Sequence, residues 1–242
     1  MTDTLDVTAV ILAGGRGSRL APLTTVIPKP LVPVGDTPIL EILIRQLVRS
    51  GITDIVISLG YLGHLIQAVV GDGVRLGARV TYTREEEPLG TAGALALVDR
   101  PSGSRTIIVL NGDTLTDLDF GSLIDTHRTN TADASITVVR RENKIDFGVI
   151  EVSENGFLTR YTEKPVYNFL VSIGVNVFAC ESLRHITRGE RIDMPDFLLR
   201  LQSLGLQVRC VEADCFWLDL GRIDDLRAAS EIVAQDPSRF FS

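Results

Sequence analysis

The stretch Leu12-Ala13-Gly14-Gly15-Arg16-Gly17-Ser18-Arg19-Leu20, with Pro28-Lys29-Pro30 following, sets a glycine run beside three cations. Glycines directly after an apolar run let backbone N–H groups approach phosphate oxygens with no Cβ in the way. Arg16, Arg19 and Lys29 supply the positive charge, so the segment reads as an anion cradle. It is not a Walker A loop, because no Gly-Lys-Ser/Thr follows. It is not the dinucleotide fingerprint either, because Leu20 stands where a third glycine belongs. A plain turn with solvated arginines would explain the glycines alone, but not Arg19 and Lys29 as well. Only Lys29, Lys144 and Lys164 among 24 basic residues are lysines, and two of them directly precede a proline. Chance is one explanation; the other is a need for a compact ammonium where a guanidinium fork would not serve.

These side chains need elements to hold them. Val7 to Ala13 is a short apolar run ending in glycines, a buried first strand. Ile39 to Val48 has apolar residues at helical spacing and stops at Ser50-Gly51. The alternation repeats with Asp54–Leu59, Arg79–Thr83 and Thr106–Asn111 as strands and Leu62–Val70 and Thr91–Val98 as helices. That pattern predicts parallel pairing in a doubly wound α/β sheet. The later half reads as mixed. Ala134 to Arg140 is strand-like, and Val149–Val152 and Phe157–Tyr161 flank Asn155-Gly156, a tight-hairpin signature. Val171–Phe178 and Val208–Glu212 are further strands, and Pro195–Leu204 and Ile223–Ala234 further helices. With no repeat or linker, residues 1–242 are expected to form one domain. Its ligand crevice should lie at the carboxyl ends of the first strands.

The formal charge of −7 argues against a general affinity for nucleic acid. No apolar run approaches the ~20 residues of a membrane span, and the polar start Met1 to Asp6 has no signal-peptide pattern, so a cytoplasmic protein is expected. Cys180, Cys210 and Cys215 form no Cys-x-x-Cys pair and sit among apolar residues, which predicts buried free thiols. His64, His127 and His185 have no second ligand at metal spacing and read as structural or solvated. The run Arg84 to Glu87 reads as a solvated strand end.

The sequence resembles the sugar-phosphate nucleotidyltransferases, which include the guanylyltransferases of mannose or heptose 1-phosphate. Their signature Gly-Gly-x-Gly-x-Arg-Leu, then Pro-Lys-Pro, is matched by Gly14 to Leu20 and Pro28 to Pro30. The resemblance continues through Glu87 to Gly93, Asn111-Gly112-Asp113, Phe147-Gly148-Val149, Glu163-Lys164-Pro165 and Trp217 to Gly221. It implies a single-domain, Rossmann-like mixed sheet of the nucleotide-diphospho-sugar transferase type, mostly parallel with antiparallel additions in the second half. It also implies transfer of a nucleoside monophosphate from a triphosphate to a sugar 1-phosphate, with release of pyrophosphate.

Such a transfer asks the protein for positioning, charge neutralisation and a divalent metal. Magnesium takes one or two carboxylates, the rest of its shell coming from phosphates and water. Asp113 closes the apolar run Ile107 to Leu110 at its carboxyl end, which would put a carboxylate in the crevice. A turn or cap aspartate after Asn-Gly is the plainer alternative. Asp219 sits among Trp217, Leu218 and Leu220, where a carboxylate must find a cation or hydrogen bonds. By resemblance it joins Asp113 on the metal, the alternative being an N-cap for a helix near Arg222. The resemblance gives Lys29 the phosphates at the reacting centre and Arg19 the leaving pyrophosphate. The nucleotide side comprises Leu12, Ala13, Gly14, Gly15, Gly17, Ser18, Gly90, Thr91, Asn111 and Gly112, with Gly90 against the nucleobase. Gly148, Glu163, Lys164, Ser172, Gly174 and Asn176 form the sugar-phosphate side.

GTP is the preferred nucleotide, with UTP, ATP and dTTP as alternatives. The departure from the family at Ser172-Ile173-Gly174-Val175-Asn176, where many members have Asn-x-Gly-x-Tyr, leaves the sugar open and admits a heptose or cyclitol phosphate. A regulatory sugar-nucleotide-binding subunit and a dinucleotide oxidoreductase are weaker readings. No C-terminal β-helix domain is expected, and a homodimer is expected only from symmetry statistics.

Overall fold

The computed structural model describes residues 6–99 and 105–241; the first residues of the polar start lie outside that range. In chain order the elements are β1 (Val7–Ala13), β2 (Pro33–Val34), β3 (Thr37–Pro38), α1 (Ile39–Arg49), β4 (Asp54–Leu59), α2 (Gly63–Val70), β5 (Arg79–Arg84), α3 (Gly90–Gly93), β6 (Thr106–Asn111) and β7 (Thr114–Thr116). Then follow α4 (Phe120–Thr129), β8 (Ala134–Lys144), β9 (Val149–Val152), β10 (Leu158–Thr162), β11 (Val166–Ala179), α5 (Met194–Ser203), β12 (Val208–Glu212), β13 (Trp217–Asp219), α6 (Ile223–Gln235) and α7 (Ser238–Phe241).

Seven strands form one sheet in the order β12-β8-β11-β6-β1-β4-β5, and β11 alone runs against the rest. The expected mostly parallel α/β sheet is thus present. Strand alternation sends Val7, Ala9 and Ile11 to one face, under α1, α2, α4 and α6, and Val10 to the other, under α5. Both faces are covered, which is why β1, β4 and β6 read as unbroken apolar runs. Helix α1 fixes the first crossover by burying Leu40, Leu43, Ile44 and Leu47 completely. Truncating one of these to alanine would cost about 2–5 kcal/mol. From β1 the chain crosses to β4 on one side and β6 on the other, so the loop after β1 opens at a topological switch point.

Three local expectations change. The helix expected over Thr91–Val98 is one α-turn at Gly90–Gly93 continued by a 3₁₀ segment, Ala94–Leu97. Its first N–H groups, on Ala92 and Gly93, donate to the Ile192 carbonyl at 3.1 and 3.0 Å. At the β9–β10 turn only Gly156 has positive φ, and Ser153 N–H donates to Phe157 O. The connection is therefore a longer loop with one left-handed glycine and not a two-residue turn. Strand β11 starts at Val166, five residues early, because Val166 to Val171 pair with the end of β8. This ribbon, residues 139–144 with 166–171, extends past β6 and β12, and β9–β10 forms its tip.

Candidate active site

Residues after β1 leave the sheet through Gly14 and turn at Gly17, whose φ of +60° suits glycine. The Gly17 carbonyl accepts from Leu20 N–H at 2.9 Å and from Thr24 Oγ1 at 2.8 Å, which fixes the loop. Gly60, at the end of β4, lies so close to Gly14 that a Cβ on it would stand 2.5 Å from the Gly14 carbonyl oxygen. Tyr61 N–H donates to that same oxygen at 3.2 Å. Beside Gly15 there is open space. Here backbone can face a ligand, as a phosphate cradle requires.

Lys29 is buried, yet its ammonium donates to Asp113 Oδ2 and, at 3.4 Å, to Asp219 Oδ1. Arg19 reaches the other Asp219 oxygen at 3.9 Å. The carboxylates meet because β7 and β13 pair antiparallel with Asp219 opposite Thr114, next to Asp113. Leu220 N–H also donates to the Asp113 carbonyl at 3.3 Å. Asp219 is not a helix cap: Arg222 holds that position, and its N–H donates to Asp225. Lys29 gives two carboxylates the cation that their surroundings demand.

Arg19, Lys29 and Asp113 open on a crevice of about 680 Å³, to which Asp219 is tied through Lys29 and Arg19 without lining it. Leu12, Ala13, Gly14, Gly15, Gly17, Ser18, Arg19, Lys29, Gly90, Thr91, Asn111 and Asp113 all line it. Gly112 sits behind the wall, its N–H donating to the Leu12 carbonyl at 2.9 Å. The far wall comes from the loop before α5. There Arg200 pairs with Glu190 and donates to His185 O at 3.0 Å; its hydrogen bonds, with one from Thr187 N–H, hold the Glu190 carboxyl down to about 2. This fastens Asp193, whose Oδ1 accepts from Thr91 N–H at 3.1 Å, while Met194 N–H donates to Thr91 Oγ1 at 2.7 Å. Gly90 is required by this loop: a Cβ there would meet the Ile192 carbonyl at 2.6 Å.

Several crevice residues were not expected. The run Arg84 to Glu87 lines the crevice, and Glu85 is half-buried, accepting from Leu89 N–H at 2.8 Å and Ser58 Oγ at 3.4 Å. Ser58, Gly60, Tyr61 and Asp193 also line it. The Arg16 guanidinium lies 5.8 Å from the Tyr61 ring centroid, a cation–π contact that draws this cation toward the β4 side. Only the short spacing from strand ends could have signalled these residues.

The residues expected on the sugar side divide into three. Gly174 packs against Asn111 of the crevice wall, since a Cβ there would stand 2.4 Å from Asn111 Nδ2. Asn176 is buried in the sheet between β6 and β8, and its Oδ1 has no protein partner among the described residues. It is not on the crevice wall, and Ser172 is exposed at the ribbon's root. Gly148, Glu163 and Lys164 lie at the tip. Tyr161, also not expected, joins two of them: its ring fills the space beside Gly148, and its hydroxyl donates to Glu163 Oε2 at 3.3 Å. Lys164 has φ +44° directly before Pro165, a strained setting for a non-glycine residue.

Among the histidines His127 is structural: it is buried against Ser135 Oγ at 2.8 Å. The thiols are free among the described residues. Cys180 is buried, but Cys210 is exposed, because β12 is the outermost strand and one face of it meets solvent.

A glycine loop, a buried lysine and one aspartate on a crevice at a sheet switch point, with a second aspartate paired to that lysine, are now in place. The nucleotidyl transferase family matches residues 8–236. The chain belongs to this family. It is 31% identical to a mannose-1-phosphate guanylyltransferase of Mycobacterium tuberculosis, over 95% of this chain and 66% of the relative. It is 32% identical to a UTP–glucose-1-phosphate uridylyltransferase of Synechocystis, over 90% of this chain and 61% of the relative. The chain thus spans about three fifths to two thirds of these relatives' length. A crystal structure of a putative glucose-1-phosphate thymidylyltransferase from Bacillus anthracis superposes with a TM-score of 0.76 at 25% identity, covering 95% of this chain and 96% of that one.

Proposed function

We propose that this member of the family transfers a nucleoside monophosphate from a triphosphate to a sugar 1-phosphate in the cytoplasm, releasing pyrophosphate. The observation that carries the reading is the bridging of Asp113 and Asp219 by Lys29 at the mouth of the glycine loop. Gly14 to Ser18 would receive phosphate oxygens on backbone N–H groups, Lys29 would neutralise charge at the reacting phosphorus and Arg19 at the leaving pyrophosphate. Asp113 and Asp219 suit magnesium, which needs only one or two carboxylates when substrate phosphates complete its shell. The described residues contain no cluster of three or more such side chains, as an all-protein cage would require. When bound, the ion would supply charge neutralisation on the phosphates. Glu163 and Lys164 are assigned to the acceptor.

GTP is the proposed donor because of Glu85. A carboxylate in a triphosphate site must face a part of the substrate that offers protons, and it accepts only. The guanine edge presents two adjacent donors, N1–H and the N2 amino group, whereas uracil and thymine present one donor between two carbonyls. Glu85 keeps spare lone pairs beyond its bonds to Leu89 and Ser58. The departure at Ser172, which stays exposed, supports a heptose or cyclitol phosphate as acceptor, whereas Asn176 lies inside the sheet and has no part in that choice.

Pyrophosphate release over a grid of four triphosphates and several sugar 1-phosphates, with and without magnesium, tests the reading. Turnover is expected with GTP and a metal; none anywhere would sink it. Glu85→Gln should lower kcat/KM for GTP about 10-fold or more and raise it relatively for dTTP, since an amide offers one donor and one acceptor. An unchanged base preference would remove Glu85 from this role.

A further inference from the structure

Arg200 does not line the crevice, yet the backbone of one crevice wall is tied to it. From α5 its guanidinium fork donates to both Glu190 oxygens and to the His185 carbonyl, and Thr187 N–H adds a bond to Glu190 Oε2 at 3.1 Å. One side chain thereby staples residues 185–190 to a helix that is itself anchored in the core by Phe197, Leu198 and Leu201. From Glu190 the chain runs directly to Ile192 and Asp193, against α3.

Helix α3 is a single turn, too short to hold its own shape. Its N–H groups on Thr91, Ala92 and Gly93 all find their acceptors on that loop, the first on Asp193 Oδ1 and the other two on the Ile192 carbonyl. The approach is so close that a Cβ on Gly93 would stand 2.4 Å from the Glu190 carbonyl oxygen. Leu89 is the joint. Its carbonyl accepts from Ile192 N–H at 2.9 Å, and its own N–H donates to Glu85 Oε2 at 2.8 Å. A shift of residues 186–193 therefore reaches Gly90, Thr91 and the Glu85 carboxylate together.

Folding stability alone gives this ion pair little to do. The Arg200 and Glu190 side chains are 34% and 27% exposed, and a pair so open to water contributes modestly to folding. What the planar fork supplies is orientation, which a lysine ammonium does not. We propose that Arg200 and Glu190 are positioning residues that set the base preference of the triphosphate site, acting through Ile192 and Leu89 on Gly90 and Glu85. The link to the base rests on the proposed function; the link from Arg200 to the wall does not.

Hydrogen exchange and equilibrium binding of GTP and dTTP to the full chain, with magnesium, test the two links in turn. In Arg200→Ala the amides of residues 91–93 and 192 should exchange about 10-fold faster or more, while those of β1 and β6 keep their rates. The ratio of GTP to dTTP affinity should fall about 10-fold, with a drop in melting temperature of no more than about 4 °C. Arg200→Lys, which keeps the charge and loses the fork, should recover only part of the ratio, as should Glu190→Gln. Either variant serves if Arg200→Ala does not fold. Unchanged exchange at residues 91–93 overturns the proposal. So does an unchanged base ratio in folded variants, or faster exchange spread evenly over the sheet with a large loss of melting temperature. A wild type that prefers dTTP would defeat the donor assignment, while loss of that preference in Arg200→Ala would still uphold the positioning role. Where the wild type binds neither triphosphate, the proposed function fails, and exchange confined to residues 91–93 and 192 decides the brace by itself.

Discussion

The crevice after β1 and the ribbon formed by β8 and β11 are held by different means. Around the crevice each backbone turn is fixed by a partner from another element: Gly14 by Gly60 and Tyr61, Thr91 by Asp193, Asp113 by the strand that carries Asp219. Lys29 at its centre is buried. At the ribbon tip Glu163 and Lys164 are exposed, and the contacts that orient them come from Tyr161 and a strained backbone next to Pro165. On the proposed function, a donor site built on covered sheet and an acceptor site built on a two-stranded extension would divide the labour: the first is braced between elements, and the second could vary in sequence without unsettling the core.

Variants on the two sides should separate in kinetics. The largest effect is expected at the centre, where Lys29→Ala or Asp113→Asn should lower kcat roughly 100-fold or more, the usual scale for one charge-stabilising group. Normal turnover in both would undo the site assignment. Next comes Gly60→Ala, because a Cβ 2.5 Å from the Gly14 carbonyl must displace backbone. KM for the triphosphate should rise about 10-fold with KM for the acceptor unchanged, together with the loss of stability that overpacking brings. On the ribbon, Tyr161→Phe removes one exposed hydrogen bond and should raise acceptor KM only about 5-fold, leaving the triphosphate KM alone.

The smallest effect concerns His127, which packs from α4 on Ser135 at the start of β8, away from both the crevice and the ribbon. Burial pushes its imidazole from 6.5 to about 4, Arg128 adds to the depression and Asp133 opposes it. The folded protein therefore prefers the neutral ring while the unfolded chain takes up a proton first. Stability from this residue is complete above pH 6.5 and is lost as the pH falls from 6.5 toward 4. Melting temperatures across that window should fall by several degrees in the wild type and less in His127→Gln.

The contrast also explains how far the sequence was legible. Strands β1, β4 and β6 start and stop where their apolar runs do, since both sheet faces are covered. The glycine loop and Lys29 were readable because their glycines and cations lie close together in the chain, and Asp113, 84 residues further on, because it follows the apolar strand β6 at its carboxyl end. Glu85 was not: charged runs are commonly solvated, and its burial depends on Gly14 lacking a Cβ and on Leu89 turning back to it. Asp193 contacts Thr91 from 102 residues away, and no local pattern carries that. Ser172 and Asn176 were grouped by motif position, but a register shift in β11 between them leaves one exposed and the other inside the sheet.

The ammonium of Lys29, shared between Asp113 and Asp219, is the crevice's own counter-ion. Its side chain is only 8% exposed, so dissolved salt screens its pair with Asp113, 28% exposed, less than its pair with Asp219, 44% exposed. On the proposed function, Asp113 and Asp219 would hold the divalent ion and Lys29 would then be left to face the phosphates, so that binding one positive charge would make a second available.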